Sequence, residues 1–195
     1  MLNIGLSGGI GSGKSLICKI FEMNGVPVYY TDNRAKFLIE NSSKIKNTLI
    51  GAFGIDIYNN NGLNKEKLSE LLFNNNQNRI VINSIVHPEV WKDQEIWQAS
   101  QKNCRYVITE SALLFDTGYY KKFDYTICVC SPIETRIVRL LQRDVLSNEV
   151  EIIKKIESQS TDDFKRGLAN FIIENNEKVS TLEQIYSLHK HLITI

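Results

Sequence analysis

The chain has 195 residues, 43% of them hydrophobic, which is enough to bury a sizeable core as one domain with room for an inserted subdomain. Its 23 basic side chains nearly balance 22 acidic ones, and a net charge of +1 supplies no long-range attraction to nucleic acid or an anionic membrane. No apolar run approaches the ~18 residues of a membrane span and no leader precedes Leu2, so the expectation is a cytoplasmic chain with no nucleic-acid or membrane partner; composition says nothing of oligomeric state.

From the N-terminus, Leu2 to Leu6 reads as a buried strand, and residues 8–15, Gly-Gly-Ile-Gly-Ser-Gly-Lys-Ser, match the phosphate-binding pattern G-x-x-x-x-G-K-[ST] in full. Gly8, Gly11 and Gly13 let the backbone take positive φ, so that successive amides from Gly9 and Gly11 through Ser12, Gly13, Lys14, Ser15 and Leu16 face phosphate oxygens. Lys14 would reach the β- and γ-phosphates of a nucleoside triphosphate and the Ser15 hydroxyl would ligate its Mg²⁺. Ile17, Ile20 and Phe21 follow at helical spacing, which places the phosphates at a helix N-terminus.

Further strands are expected at Val26–Tyr30, Tyr106–Glu110, Tyr125–Cys130 and Asn170–Glu174. Their near-continuous apolar character predicts an α/β fold with a five-stranded parallel sheet, and ligands in such folds sit beyond the carboxyl ends of the strands. The roughly 75 residues between the second and third strands exceed a simple crossover. They read as an inserted helical subdomain, with Ile45, Leu49 and Phe53 and then Leu68, Leu71 and Leu72 at helical spacing on either side of a turn at Asn61-Gly62; disorder of this asparagine-rich stretch is the alternative.

Asp32, just past the second strand, either orients and deprotonates an attacking hydroxyl or caps a helix. Arg136, Arg139 and Arg143 share one helical stripe, suited to polyphosphate or, equally, to a solvated face with ion pairs. Residues 147–159 form a further helix and, with the arginines, a lid. Cys18, Cys104, Cys128 and Cys130 lack C-x-x-C spacing and read as reduced core residues; His189 and His191 read as surface. The Asn-Lys-x-Asp signature of guanine recognition is missing, since Asn64-Lys-Glu-Lys67 ends on lysine, which argues against a signalling GTPase and favours a small-molecule kinase.

The segments Leu6–Ser15, Gly25–Asp32, Leu71–Phe73 with His87-Pro88, Leu113–Gly118, Arg139–Asp144 and Gln159–Asn175 together resemble the dephospho-CoA kinase family nearly end to end. The resemblance implies a three-layer P-loop fold with core residues 1–40, 104–135 and 166–195, a helical substrate subdomain at 41–103 and a lid at 136–165. It implies ATP and Mg²⁺ as cofactors and dephospho-CoA as phosphoryl acceptor. It further implies Asp32 as base, Lys36 and His87 at the acceptor, Arg139 and Arg143 in the nucleotide-facing lid, and Glu110 with Ser15 at the metal. For His87, a packing or capping role stays open. A kinase for another nucleotide or small alcohol, or an ATP-binding regulator, is the alternative function. Five positions depart from the family pattern: Leu16, Tyr30, Glu110, Ala112 and Asn170.

Overall fold

The computed structural model describes residues 1–59, 62–144 and 147–195, and of residues 73 and 74 the backbone alone. The expected turn at Asn61-Gly62 and the lid positions 145 and 146 lie partly or wholly outside the described residues. The chain divides into two units, residues 1–29 with 101–195, and residues 30–100.

The first unit is built on the sheet. Strand β1 (Leu2–Gly8) lies at its centre, between β5 (Tyr106–Glu110) and β6 (Tyr125–Cys130); β2 (Val28–Tyr30) and β7 (Phe171–Glu174) are the edges, in the order β2-β5-β1-β6-β7. The β1 pairings are parallel, with Leu6 opposite Glu110 on one side and Ile127 on the other. Parallel strands are covered on both faces, which is why their sequences run apolar without alternation: Ile4, Leu6, Val107, Ile108, Ile127 and Val129 are fully buried. Flanking helices supply the cover. Helix α1 (Lys14–Met23) buries Ile17, Cys18 and Phe21; α6 (Ile133–Arg143), α7 (Glu149–Glu157) and α8 (Asp162–Leu168) lead from β6 to β7; α9 (Thr181–Thr194) closes the chain against α1 and β7.

All four cysteines are free; Cys18, Cys128 and Cys130 belong to the core, whereas Cys104 is only half-buried. His189 departs from the surface reading, because its Nδ1 shares a hydrogen bond of 2.7 Å with the hydroxyl of buried Tyr106. A helix-face pattern without its tertiary partner does not reveal such a contact. Asn170, one of the departures from the family pattern, uses its side-chain oxygen to accept from both the amide and the hydroxyl of Thr126, pinning the start of β7 to β6.

The second unit is helical, as the apolar spacing of residues 45–72 predicts. It comprises α2 (Thr31–Asn41), α3 (Ser43–Phe53), the two-residue strands β3 (Tyr58–Asn59) and β4 (Gly62–Leu63), α4 (Lys65–Asn74) and α5 (Asn76–Ser100). Helix α5 runs 25 residues through Pro88, which removes one backbone donor. The helix continues because Ile82, Val86, Val90 and Gln94 recur every four residues on one buried face and pack against α2, α3 and α4. Arg34 of α2 grips Asp93 of α5 in a two-pronged ion pair of 2.9 and 2.7 Å.

Candidate active site

The loop between β1 and α1 takes its shape from glycine. Gly11 and Gly13 have φ of 79° and 95°, in the left-handed region, whereas Gly8 at 158° is close to extended. At Gly9, a Cβ would lie 2.4 Å from the Arg136 guanidinium, and at Gly13 it would lie 2.2 Å from the Asn175 amide nitrogen, so both close approaches require the bare backbone. Lys14 and Ser15 open α1 at its positive end, the end of a helix that favours an anion. The Lys14 ammonium folds back to donate to the carbonyls of Gly8 and Gly9 at 3.0 and 3.1 Å, while the Ser15 and Leu16 side chains face solvent. Not every loop amide turns inward: Ile10 donates to the Gln159 side-chain oxygen at 2.9 Å and Ser12 to the Gly9 carbonyl at 3.1 Å.

The three arginines of α6 have three different environments. Arg136, 5% exposed, donates from Nε to the Ile10 carbonyl at 2.8 Å and pairs with Asp162, so it supports the loop from behind. Arg139 is half-buried near Gly13 and donates to the Ser131 hydroxyl. Arg143 is exposed and forms a two-pronged pair with its neighbour Asp144. Sequence reasoning did not assign roles to Gln159 and Asn175; Asn175 is buried and donates to the Ser12 carbonyl at 2.8 Å. Each touches the loop from about 150 residues away in sequence, and no local spacing rule reaches that far.

Glu110 ends β5 opposite Leu6 of β1 and is 6% exposed, at the carboxyl edge from which the loop departs. Burial pushes the Cys18 thiol well above its ordinary range; the Glu110 carboxylate adds to the rise and Lys14 opposes it, which places both charges close to this cysteine. A hydroxyl at Ser15 and a carboxylate at Glu110 are oxygen donors of the kind Mg²⁺ takes alongside phosphate oxygens and water, so the residues present fit that ion.

In the second unit, Asp32 and Lys36 are exposed and four residues apart on α2, hence on one face. The N-cap of α2 is Tyr30, so Asp32 sits inside the first turn and is not the capping residue. His87 lies mid-helix in α5, which removes a capping role. Burial lowers its pKa, and the opposing pull of Asp32 shows that the two side chains are electrostatic neighbours.

The family profile described as dephospho-CoA kinase matches residues 2–181. A Bacteroides fragilis dephospho-CoA kinase is 35% identical over 188 residues, covering 96% of this chain and 91% of that protein. The chain belongs to the dephospho-CoA kinase family. It is therefore a kinase of the transferase class, and it has the α/β P-loop fold expected from its strands. A crystal structure from Thermus thermophilus superposes with a TM-score of 0.81 at 27% identity, covering 99% of this chain and 96% of the other. A Campylobacter jejuni dephospho-CoA kinase shares the fold, with a TM-score of 0.68 at 22% identity over 98% and 97% of the two chains.

Leu16, one of the departures from the family pattern, carries no side-chain hydroxyl, and its backbone amide donates to the Gly13 carbonyl at 3.0 Å within the first turn of α1. Tyr30, another of the departures, stands immediately before α2, and Asp32 is the acidic residue of its first turn.

Proposed function

We propose that this chain transfers the γ-phosphoryl group of ATP to the ribose 3′-hydroxyl of dephospho-CoA, giving CoA and ADP. What supports this reading above all is the glycine-shaped loop from Gly8 to Ser15 in a chain that belongs to the dephospho-CoA kinase family. Gly9, Gly11, Ser12, Gly13, Lys14, Ser15 and Leu16 cradle the triphosphate, and the Lys14 ammonium leaves the Gly8 and Gly9 carbonyls for the β- and γ-phosphates. Ser15 and Glu110 would hold Mg²⁺, which would supply positive charge against the phosphate oxygens.

Asp32 accepts the proton of the acceptor hydroxyl as that oxygen bonds to the γ-phosphorus and the bond to the β–γ bridging oxygen breaks. Lys36, one turn along α2, and His87 contact the acceptor, with residues 41–103 forming the subdomain that receives it. Arg139 and Arg143, in the lid at 136–165, stabilise the charge on departing ADP. Arg143 is itself exposed, so its pair with half-buried Asp144 is screened by solvent and releases it at small cost. The work is cytoplasmic on this reading; among the described residues no helix is long and apolar enough to cross a membrane.

The test is ADP formation from ATP and Mg²⁺ with and without dephospho-CoA, with the product identified by mass. Dephospho-CoA-dependent turnover that yields CoA, and that falls about 10²–10⁴-fold in Asp32→Asn with ATP affinity kept within a few-fold, supports the reaction and the base. ATP binding without stimulation by dephospho-CoA overturns the substrate, and stimulation by another nucleotide or small alcohol replaces it.

A further inference from the structure

A peptide unit is planar and trans, so its C=O and N–H point in opposite directions, and fixing one fixes the other. The peptide joining Gly9 to Ile10 is held at both ends. Its N–H donates outward to the Gln159 side-chain oxygen at 2.9 Å. Its carbonyl therefore faces the other way, where it accepts from the Lys14 ammonium at 3.1 Å and from the Ser12 amide at 3.1 Å. The next peptide is held as well, by Arg136 Nε on the Ile10 carbonyl at 2.8 Å, which turns the Gly11 N–H away from Arg136.

Gln159 is itself anchored. The next residue, Ser160, donates its amide to the Asp116 carboxylate at 2.8 Å, and the other oxygen of that carboxylate lies 4.0 Å from the ammonium of Lys165, which is fully buried. Thr161 then caps α8 by accepting from Phe164, and Asp162 pairs with Arg136. The turn between α7 and α8 is thus tied to the loop after β5, and from there it reaches the phosphate loop.

We propose that Gln159 is a positioning residue for phosphoryl transfer: by holding the Ile10 N–H it sets the sense of the Gly9–Ile10 peptide, and through it the inward face of the loop and, before nucleotide binds, the place of the Lys14 ammonium. Without that acceptor the peptide is held through its carbonyl alone, and with glycine on one side it turns over more readily than when both ends are held. The Ile10 N–H then enters the cradle and the Gly9 carbonyl leaves Lys14. The proposal rests on the kinase reading for its consequence in turnover, but its effect on nucleotide binding needs no acceptor.

The experiment compares Gln159→Met, which keeps the side chain's length and removes the acceptor, with the unaltered chain. ATP and adenosine binding are measured by calorimetry in Mg²⁺ without acceptor, and steady-state kinetics with dephospho-CoA follow. ATP affinity is expected to fall about tenfold, the effect of one lost hydrogen bond, while adenosine affinity stays within twofold. The KM for ATP rises in step, and the KM for dephospho-CoA does not. Equal weakening of ATP and adenosine, or no change in either, overturns the proposal. Residue-resolved hydrogen exchange on the unaltered, nucleotide-free chain decides independently of whether the variant folds: the Ile10 amide is expected to be protected at least about tenfold, and exchange at the unprotected rate overturns it. Should dephospho-CoA fail as acceptor, the kinase reading falls alone, because the ATP-to-adenosine comparison still reports on Gln159.

Discussion

His87 and the cysteines show what burial does to individual side chains. Burial holds the His87 imidazole below its ordinary pKa of 6.5, so in acid the unfolded chain takes up the proton more readily than the folded one. Stability therefore falls as pH drops below about 6.5 and is indifferent to this group above it. Denaturant melts between about pH 5 and 7 should show that slope, and His87→Gln should flatten it. Cys18, Cys128 and Cys130 are fully buried; burial raises the Cys18 thiol, and the hydrogen bond with Cys130, together with burial, raises Cys128. A thiol reagent at neutral pH should modify Cys104 alone in the native chain and reach the other three only after denaturation.

At the scale of elements, the phosphate loop and the helices after β6 carry the sharpest expectations. Gly13→Ala forces a side chain into φ of 95° and against the Asn175 amide, which costs about 1–3 kcal/mol in strain before any ligand is bound. The variant should lose most of its ATP affinity by calorimetry while keeping its far-ultraviolet circular dichroism, because the strain is confined to the turn. Helix α7 begins with a reciprocal cap, in which Asn148 accepts from the Glu151 amide and Glu151 accepts from the Asn148 amide. Asn148→Ala should cost about 1 kcal/mol, read as faster amide exchange in residues 149–157. Arg136 belongs with the loop more than with its own helix. Its spacing from Arg139 and Arg143 allows a shared ligand, yet its guanidinium lies against Gly9 and Asp162.

For the whole molecule, the described part of the phosphate cradle and its supports, Arg136, Gln159 and Asn175, lie in the unit made of residues 1–29 and 101–195. A ligand that binds only the folded form stabilises it by mass action, by about 2.7 kcal/mol at a hundredfold excess over Kd. For a chain of this size that corresponds to a rise in melting temperature of roughly 5–10 °C. MgATP should produce this rise without any acceptor. Adenosine, which lacks the phosphates that the loop is shaped to hold, should produce much less.

The parallel sheet, the phosphate loop and the helical insertion are legible in the residue pattern alone. Continuous apolar strands, glycines at fixed offsets and apolar residues every three or four positions are local consequences of backbone geometry and burial. It also singled out Asp32 as a candidate, and it left open whether that residue caps α2; the backbone of Tyr30 and Thr31 decided that it does not. Only the tertiary structure separated Arg136 from Arg139 and Arg143, carried α5 through Pro88, gave His189 its tyrosine partner and brought Gln159 and Asn175 to the loop. These outcomes depend on which distant backbone groups come within about 3 Å of a side chain, and sheet order and helix packing set that distance.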